Sequence, residues 1–252
     1  MTSREPERYQ RPSELLWRTE ALRTAGDFAA FWLTWPRLAP LRRGDGHGVL
    51  VLPGFLADDA STVAMRTVLC ANGYRVRGWS LGTNLGPTER LWPGAQRKLE
   101  QLYADTGRPV TLIGHSLGGI FARELARQHP ELVRQVITLG SPYRLSTADS
   151  PRLTTVGHLY HALRGLHTAA FDAGDTEEER TPLRVPATSV YSRRDGVVPW
   201  QTCIDLDRPE AENVEVGTSH CGMGVHPDVL TVILDRLRLP EGEWAPYAAG
   251  SR

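Results

Sequence analysis

Short apolar runs alternate along this chain with stretches of helical period. Gly48–Phe55, GVLVLPGF, is almost uninterrupted apolar and closes on Pro-Gly, the pattern of a strand buried on both faces of a parallel sheet. A helix is expected next, capped by Ser61 and carried through TVAMRTVLCANG by Val63, Met65, Val68 and Leu69, with Gly73 as its stop. YRVRGW (Tyr74–Trp79) reads as a strand, and GPTERLWPGAQRKLEQLYADTG as a helix that Pro93 kinks or restarts. The alternation continues through a strand at Val110–Ile113, a helix from Leu117 to about Gln128, strands in VRQVITLGSP, ATSVYSRRDG and NVEVGTSH, and a last helix from about Pro227 to Leu237. Regular strand and helix alternation predicts an α/β fold with a doubly wound, mostly parallel sheet.

Two segments depart from that rhythm. From Leu15 to Trp35, large apolar residues are interleaved with Arg18, Glu20, Arg23 and Asp27, an amphipathic helical pattern that Gly26-Asp27 is expected to split. RRGDGHG (Arg42–Gly48) then marks a turn-rich boundary. Residues 1–47 are therefore expected to be a helical extension packed on or near a main domain at 48–252. Between about 143 and 185 there is no strand pattern, only a predicted helix near Leu153–Leu166 and an acidic run, DAGDTEEER. This segment reads as an insertion.

Composition narrows the function classes. The 252 residues carry 29 basic and 29 acidic side chains, and a balanced chain has no electrostatic reason to seek nucleic acid. Lys98 is the only lysine, an arginine bias that suggests a GC-rich bacterial genome. Cys70, Cys203 and Cys221 are too few and too scattered for a disulfide framework or a C-x-x-C metal pair. The polar start MTSREPERYQRPSE lacks the apolar core of a secretory signal. A cytoplasmic protein is the expectation.

The chemistry concentrates at one corner. GHSLG (Gly114–Gly118) fits G-x-S-x-G between a buried-strand pattern and a helix, where a sharp turn lifts a serine hydroxyl above the carboxyl edge of a sheet. Gly114 and Gly118 are required because strand and helix approach each other closely at such a turn. A serine hydroxyl needs a base, and the base needs an orienting acid. His220, in the loop after the last strand pattern, is the candidate base; His226, before Pro227, reads as a capping or surface residue. Asp195, after the preceding strand and before Gly196, is the candidate acid, with Asp205 and Asp207 as fallbacks. The backbone N–H groups of Phe55 and Leu117 are the candidate oxyanion donors.

Taken in order, VLVLPGF, LIGHSLGG, ITLGSPY, YSRRDGVVP and GTSH resemble the α/β-hydrolase superfamily, specifically its lipase and esterase-like members, over about Gly48 to Leu239. The resemblance implies a Ser116, Asp195 and His220 triad, an oxyanion hole at Phe55 and Leu117, and a lid or cap formed by the insertion. The family's first two strands are missing or replaced by the N-terminal helix, so a reduced sheet of about six strands is expected.

Such a triad cleaves carboxylic esters through an acyl-enzyme and calls for no metal or organic cofactor. An acyltransferase, a thioesterase and a non-catalytic binding module remain alternatives. The expected partner is a small acyl ester or lipid, and the pocket candidates are Leu56, His115, Leu159, Tyr160, Leu163 and Val197. Leu153, Val156, Leu166 and Phe171 add apolar surface to the insertion, while His158, His161 and His167 lack the spacing of a metal site. The N-terminal tryptophans raise contact with a membrane surface as an alternative, but that helix has no excess of Lys and Arg on its polar side, which favours docking on the protein's own core.

Overall fold

Six strands form one sheet in the order β2-β1-β3-β4-β5-β6, every neighbouring pair parallel. They are β1 (Gly48–Leu52), β2 (Arg75–Gly78), β3 (Val110–His115), β4 (Val133–Leu139), β5 (Ala187–Tyr191) and β6 (Ala211–Glu215). The computed structural model describes residues 9–38, 44–145, 155–168, 177, 180–206 and 208–248. Leu153, Phe171, Asp207 and most of the acidic run at 172–180 lie outside the described residues.

Alternation along the strands divides the core between two faces. Val49, Val51, Ile113 and Ile137 pack with Met65, Val68, Leu69, Val229 and Ile233, from helices α2 (Val63–Ala71) and α6 (Pro227–Arg238). Leu50, Leu52, Leu112 and Val136 pack with Trp92, Leu99, Phe121 and Leu125, from α3 (Leu91–Thr106) and α4 (Leu117–Gln128). Each fully buried side chain of this kind contributes roughly 1.5–3 kcal/mol. The chain leaves β1 toward β2 on one side and returns to β3 on the other, so the carboxyl ends of β1 and β3 open side by side, with Leu52 opposite Gly114. A crevice at such a reversal is where open α/β sheets bind ligands.

Several local expectations are corrected. Helix α1 (Glu14–Leu38) runs unbroken through Gly26-Asp27, because a lone glycine lowers helix propensity without ending the helix and because Asp27 is held by side-chain and backbone donors of residues 218–219. Pro93 does not kink α3: it stands in the first turn, where its absent N–H has no partner to lose. Ser61 does not cap α2. Asp58 instead caps a single tight turn at Asp59–Thr62, its carboxylate accepting the Ala60 N–H at 2.9 Å, and Val63 lies outside the core at 54% exposure.

Helix α1 docks differently from an ordinary amphipathic helix. Phe31 and Leu38 reach the core, but Leu15, Leu22, Trp32 and Leu33 face outward at 68–82% exposure, and the buried residue of its first half is Glu20. No helix among the described residues is long and apolar enough to cross a membrane. Between β4 and β5, α5 (Thr155–Ala162) is followed by a turn at Arg164–Leu166. His167 pairs with Thr88, and the Thr168 N–H donates to the Pro87 carbonyl at 2.8 Å, pinning this segment to the loop before α3.

Candidate active site

Ser116 stands between β3 and α4 with φ 51° and ψ −120°, a left-handed conformation that a non-glycine residue adopts only under constraint from its surroundings. The constraint is visible. The Ser116 N–H donates to Leu139 O at 2.8 Å at the end of β4. A Cβ on Gly114 would run into the Gly118 carbonyl, and one on Gly118 into the Leu52 and Pro53 carbonyls. Only glycine permits strand, serine and helix to meet so closely.

Asp195 and His220 come together beside this corner. The Asp195 carboxylate, 3% exposed, accepts the Val197 and Val198 N–H groups at 2.7 and 2.8 Å through Oδ1. Its Oδ2 lies 2.6 Å from His220 Nδ1, which must be the protonated nitrogen because a carboxylate only accepts. Nε2 of His220 is left as the basic nitrogen. Burial of the ring disfavours its charged form, but the Asp195 charge and hydrogen bond, with help from Glu20, outweigh burial and raise the His220 pKa above the usual imidazole value.

Two neighbours bring His220 to the serine's edge of the sheet. His115, the residue before Ser116, donates Nε2–H to the His220 carbonyl at 3.0 Å, and the two rings lie 5.0 Å apart. Burial, then the His220 charge, push the His115 pKa down to about 4, so it remains neutral as a donor. Gly140, following β4 with φ 53°, passes so near that a Cβ there would stand 3.2 Å from His220 Nδ1.

The loop after β1 closes the other side. A Cβ on Gly54 would lie 3.3 Å from the Ser116 Cβ. The Leu56 N–H donates to Asn84 O at 2.8 Å and the Ala57 N–H to Gly54 O at 3.1 Å; among the described residues the Phe55 and Leu117 N–H groups donate to no acceptor. Asn84, fully buried, also donates its side-chain amide to Pro53 O at 2.8 Å and accepts the Gly86 N–H at 3.0 Å. It clamps a loop in which Leu56 carries a φ of 60°.

Residues 106–157 match the family model described as the alpha/beta hydrolase fold. The chain has the α/β-hydrolase fold. Lipase B of Aspergillus fumigatus is 16% identical, with a TM-score of 0.56 over 77% of this chain and 53% of its own, so this chain spans about half that lipase's length. A Bacillus licheniformis lipase in its mature form is 18% identical, TM-score 0.56, over 76% of this chain and 92% of its own. A thermophilic esterase is 18% identical, TM-score 0.54, over 77% and 91%. A comparison with curated protein sequences finds no match.

Within this α/β-hydrolase fold the remaining sequence candidates scatter. Leu56 and Leu159 are exposed, and Tyr160 meets Phe55 edge to face at 5.5 Å. Leu163 is half-buried at the end of α5. Val197 is buried against Val198 and Cys203, and its contribution to the site is the N–H given to Asp195. His226 caps α6, accepting the Asp228 N–H at 3.2 Å. Asp205 is bound to Arg123 at 3.0 Å in a buried cluster with Glu177; burial opposes its ionised form, but Arg123 prevails and lowers its pKa. His158 and His161 are exposed, while His167 Nε2 donates to the Leu85 carbonyl at 3.3 Å. Asn84 and the polar residues of α1 carry no motif, which is why sequence patterns pass over them.

Proposed function

We propose that this protein is a serine hydrolase of carboxylic esters, lipase or esterase-like, acting through Ser116, His220 and Asp195. The observation that carries the reading is the buried 2.6 Å pairing of His220 Nδ1 with Asp195, tied by the His115 Nε2–H to His220 carbonyl bond to the corner where Ser116 is held at positive φ. In this mechanism Ser116 Oγ attacks the acyl carbonyl carbon while His220 Nε2 takes the hydroxyl proton, and Asp195 stabilises the imidazolium. The carbonyl oxygen, now negative, receives the Phe55 and Leu117 N–H groups. Collapse expels the alcohol, protonated by His220, and leaves an acyl-Ser116 ester. Water, deprotonated by the same imidazole, releases the acid and restores the serine.

The structural likeness to a lipase and an esterase supports a carboxylic ester as substrate, and the Phe55–Tyr160 ring pair beside the loop after β1 supplies an apolar surface suited to an acyl chain. The insertion, pinned at His167–Thr168 and meeting Phe55 through Tyr160, serves as the lid in this reading. A fluorophosphonate probe should label Ser116, and Ser116→Ala should lose both labelling and turnover of a short p-nitrophenyl ester while keeping the wild-type circular dichroism spectrum. Turnover retained by folded Ser116→Ala removes the serine from the mechanism.

A further inference from the structure

Helix α1 meets the site through polar side chains at i, i+3 and i+7, one face of the helix. Glu20, 7% exposed, divides its carboxylate between two loops. Oε2 accepts the Gly196 N–H at 3.2 Å and Oε1 the Cys221 N–H at 3.0 Å. Gly196 follows Asp195 and Cys221 follows His220. Arg23, paired with Glu20 at 2.7 Å, donates to the Arg194 carbonyl at 2.6 Å, and Asp27 accepts the Ser219 N–H at 3.1 Å and the Thr218 hydroxyl at 2.9 Å. The helix thus holds the residues on both sides of Asp195 and of His220. The approach is close enough to require glycine in each loop. A Cβ on Gly196 would meet the Leu16 carbonyl at 2.5 Å and Glu20 Oε2 at 2.8 Å, and one on Gly222 would strike the Asp27 carboxylate.

We propose that Glu20 is a positioning residue of this site, a single buried carboxylate that ties the acid loop and the base loop to α1 and so fixes the reach of His220 to Asp195. The inference rests on the hydrolase reading above. A carboxylate suits the task because it accepts from two N–H groups at once, and hydrogen bonds to a charged acceptor are about twice as strong as neutral ones. Glutamine offers one accepting oxygen and turns an NH2 donor toward the other N–H, so one loop is released. The charge matters as well. His220 is faced by Asp195 from the loop after β5, by His115 from the serine corner and by Glu20 from α1, while Asp27 lies beyond Ser219, 3.9 Å from His226. Removing the Glu20 charge lowers the His220 pKa.

The test compares full-length wild type, Glu20→Gln and Glu20→Asp by fluorophosphonate labelling of Ser116 and by kcat and KM on a short p-nitrophenyl ester from pH 5 to 9. Glu20→Gln should lose up to about 100-fold in kcat, the scale of an ångström-sized misplacement made away from the chemistry, with KM within about threefold. Its acid limb should move to lower pH. Glu20→Asp keeps the charge on a shorter stem, so its limb should return toward the wild-type pH while kcat stays depressed. A folded Glu20→Gln with wild-type kcat and an unmoved limb overturns the proposal; should Glu20→Gln fail to fold, wild-type kcat in Glu20→Asp does so. Wild type that neither takes the probe nor cleaves ester defeats the hydrolase reading instead.

Discussion

Replacing Asp195 by asparagine tests the charge relation at the centre of the proposed mechanism. The side chain keeps its shape, and its amide oxygen can still accept the Val197 and Val198 N–H groups now found at 2.7 and 2.8 Å, so the loop is expected to survive. What changes is the atom 2.6 Å from His220 Nδ1. An NH2 there donates, Nδ1 becomes an acceptor, and the ring proton moves to Nε2, the nitrogen that must take the serine's proton. The wrong tautomer costs about 10⁴ in kcat, or about 5 kcal/mol of transition-state stabilisation at roughly 1.4 kcal/mol per decade. The pH dependence has a definite sign. His220 must be neutral to act as base, so kcat/KM rises with pH through its raised pKa, placing the wild-type acid limb above the unperturbed value of about 6.5. Losing the Asp195 charge moves the residual limb of the asparagine variant to lower pH. The assay is initial-rate hydrolysis of a short p-nitrophenyl ester from pH 5 to 9, with a thermal melt for each protein. A folded variant within about tenfold of wild type, or one with an unshifted limb, refutes the assignment.

Asp205, one of the two fallback acids that the sequence offered, separates stability from catalysis. Asp205→Asn should cost about 3 kcal/mol or more in urea denaturation, since it removes one of two carboxylates from buried Arg123, with kcat of the folded protein unchanged; a kcat loss comparable to that of Asp195→Asn would return Asp205 to the mechanism. Asn84→Ala removes both side-chain hydrogen bonds that hold the Pro53 carbonyl and the Gly86 N–H, which should lower stability by about 1–3 kcal/mol. It should also lower kcat about tenfold or more through misplacement of the Phe55 N–H, read against a thermal melt, and full activity would show that the loop holds its shape without the clamp.

Much of this protein is written locally. A run such as GVLVL has no polar residue to leave in water, so it becomes a strand covered on both faces, and G-H-S-L-G after a buried strand supplies the two glycines that a tight turn there requires. The positions of β1, β3 and β4 along the chain and the place of the turn at Ser116 follow from such short-range rules. Even Pro93, read as a kink or a restart inside the helix, differed only in standing in its first turn.

What sequence alone could not decide is which polar groups face one another across the chain. Glu20 reaches Gly196 over 176 residues and Cys221 over 201; Asp205 reaches Arg123 over 82. Hydrophobic periodicity assigned α1 an apolar contact face, yet the fold presents Glu20 and Asp27 to the backbone N–H groups of Gly196, Ser219 and Cys221 and turns Leu15, Leu22 and Leu33 outward. Burial energy is additive and non-directional, so it can be read from a pattern of residues. A hydrogen bond depends on distance and angle between two named atoms, and those exist only once the sheet has brought the loops to one edge.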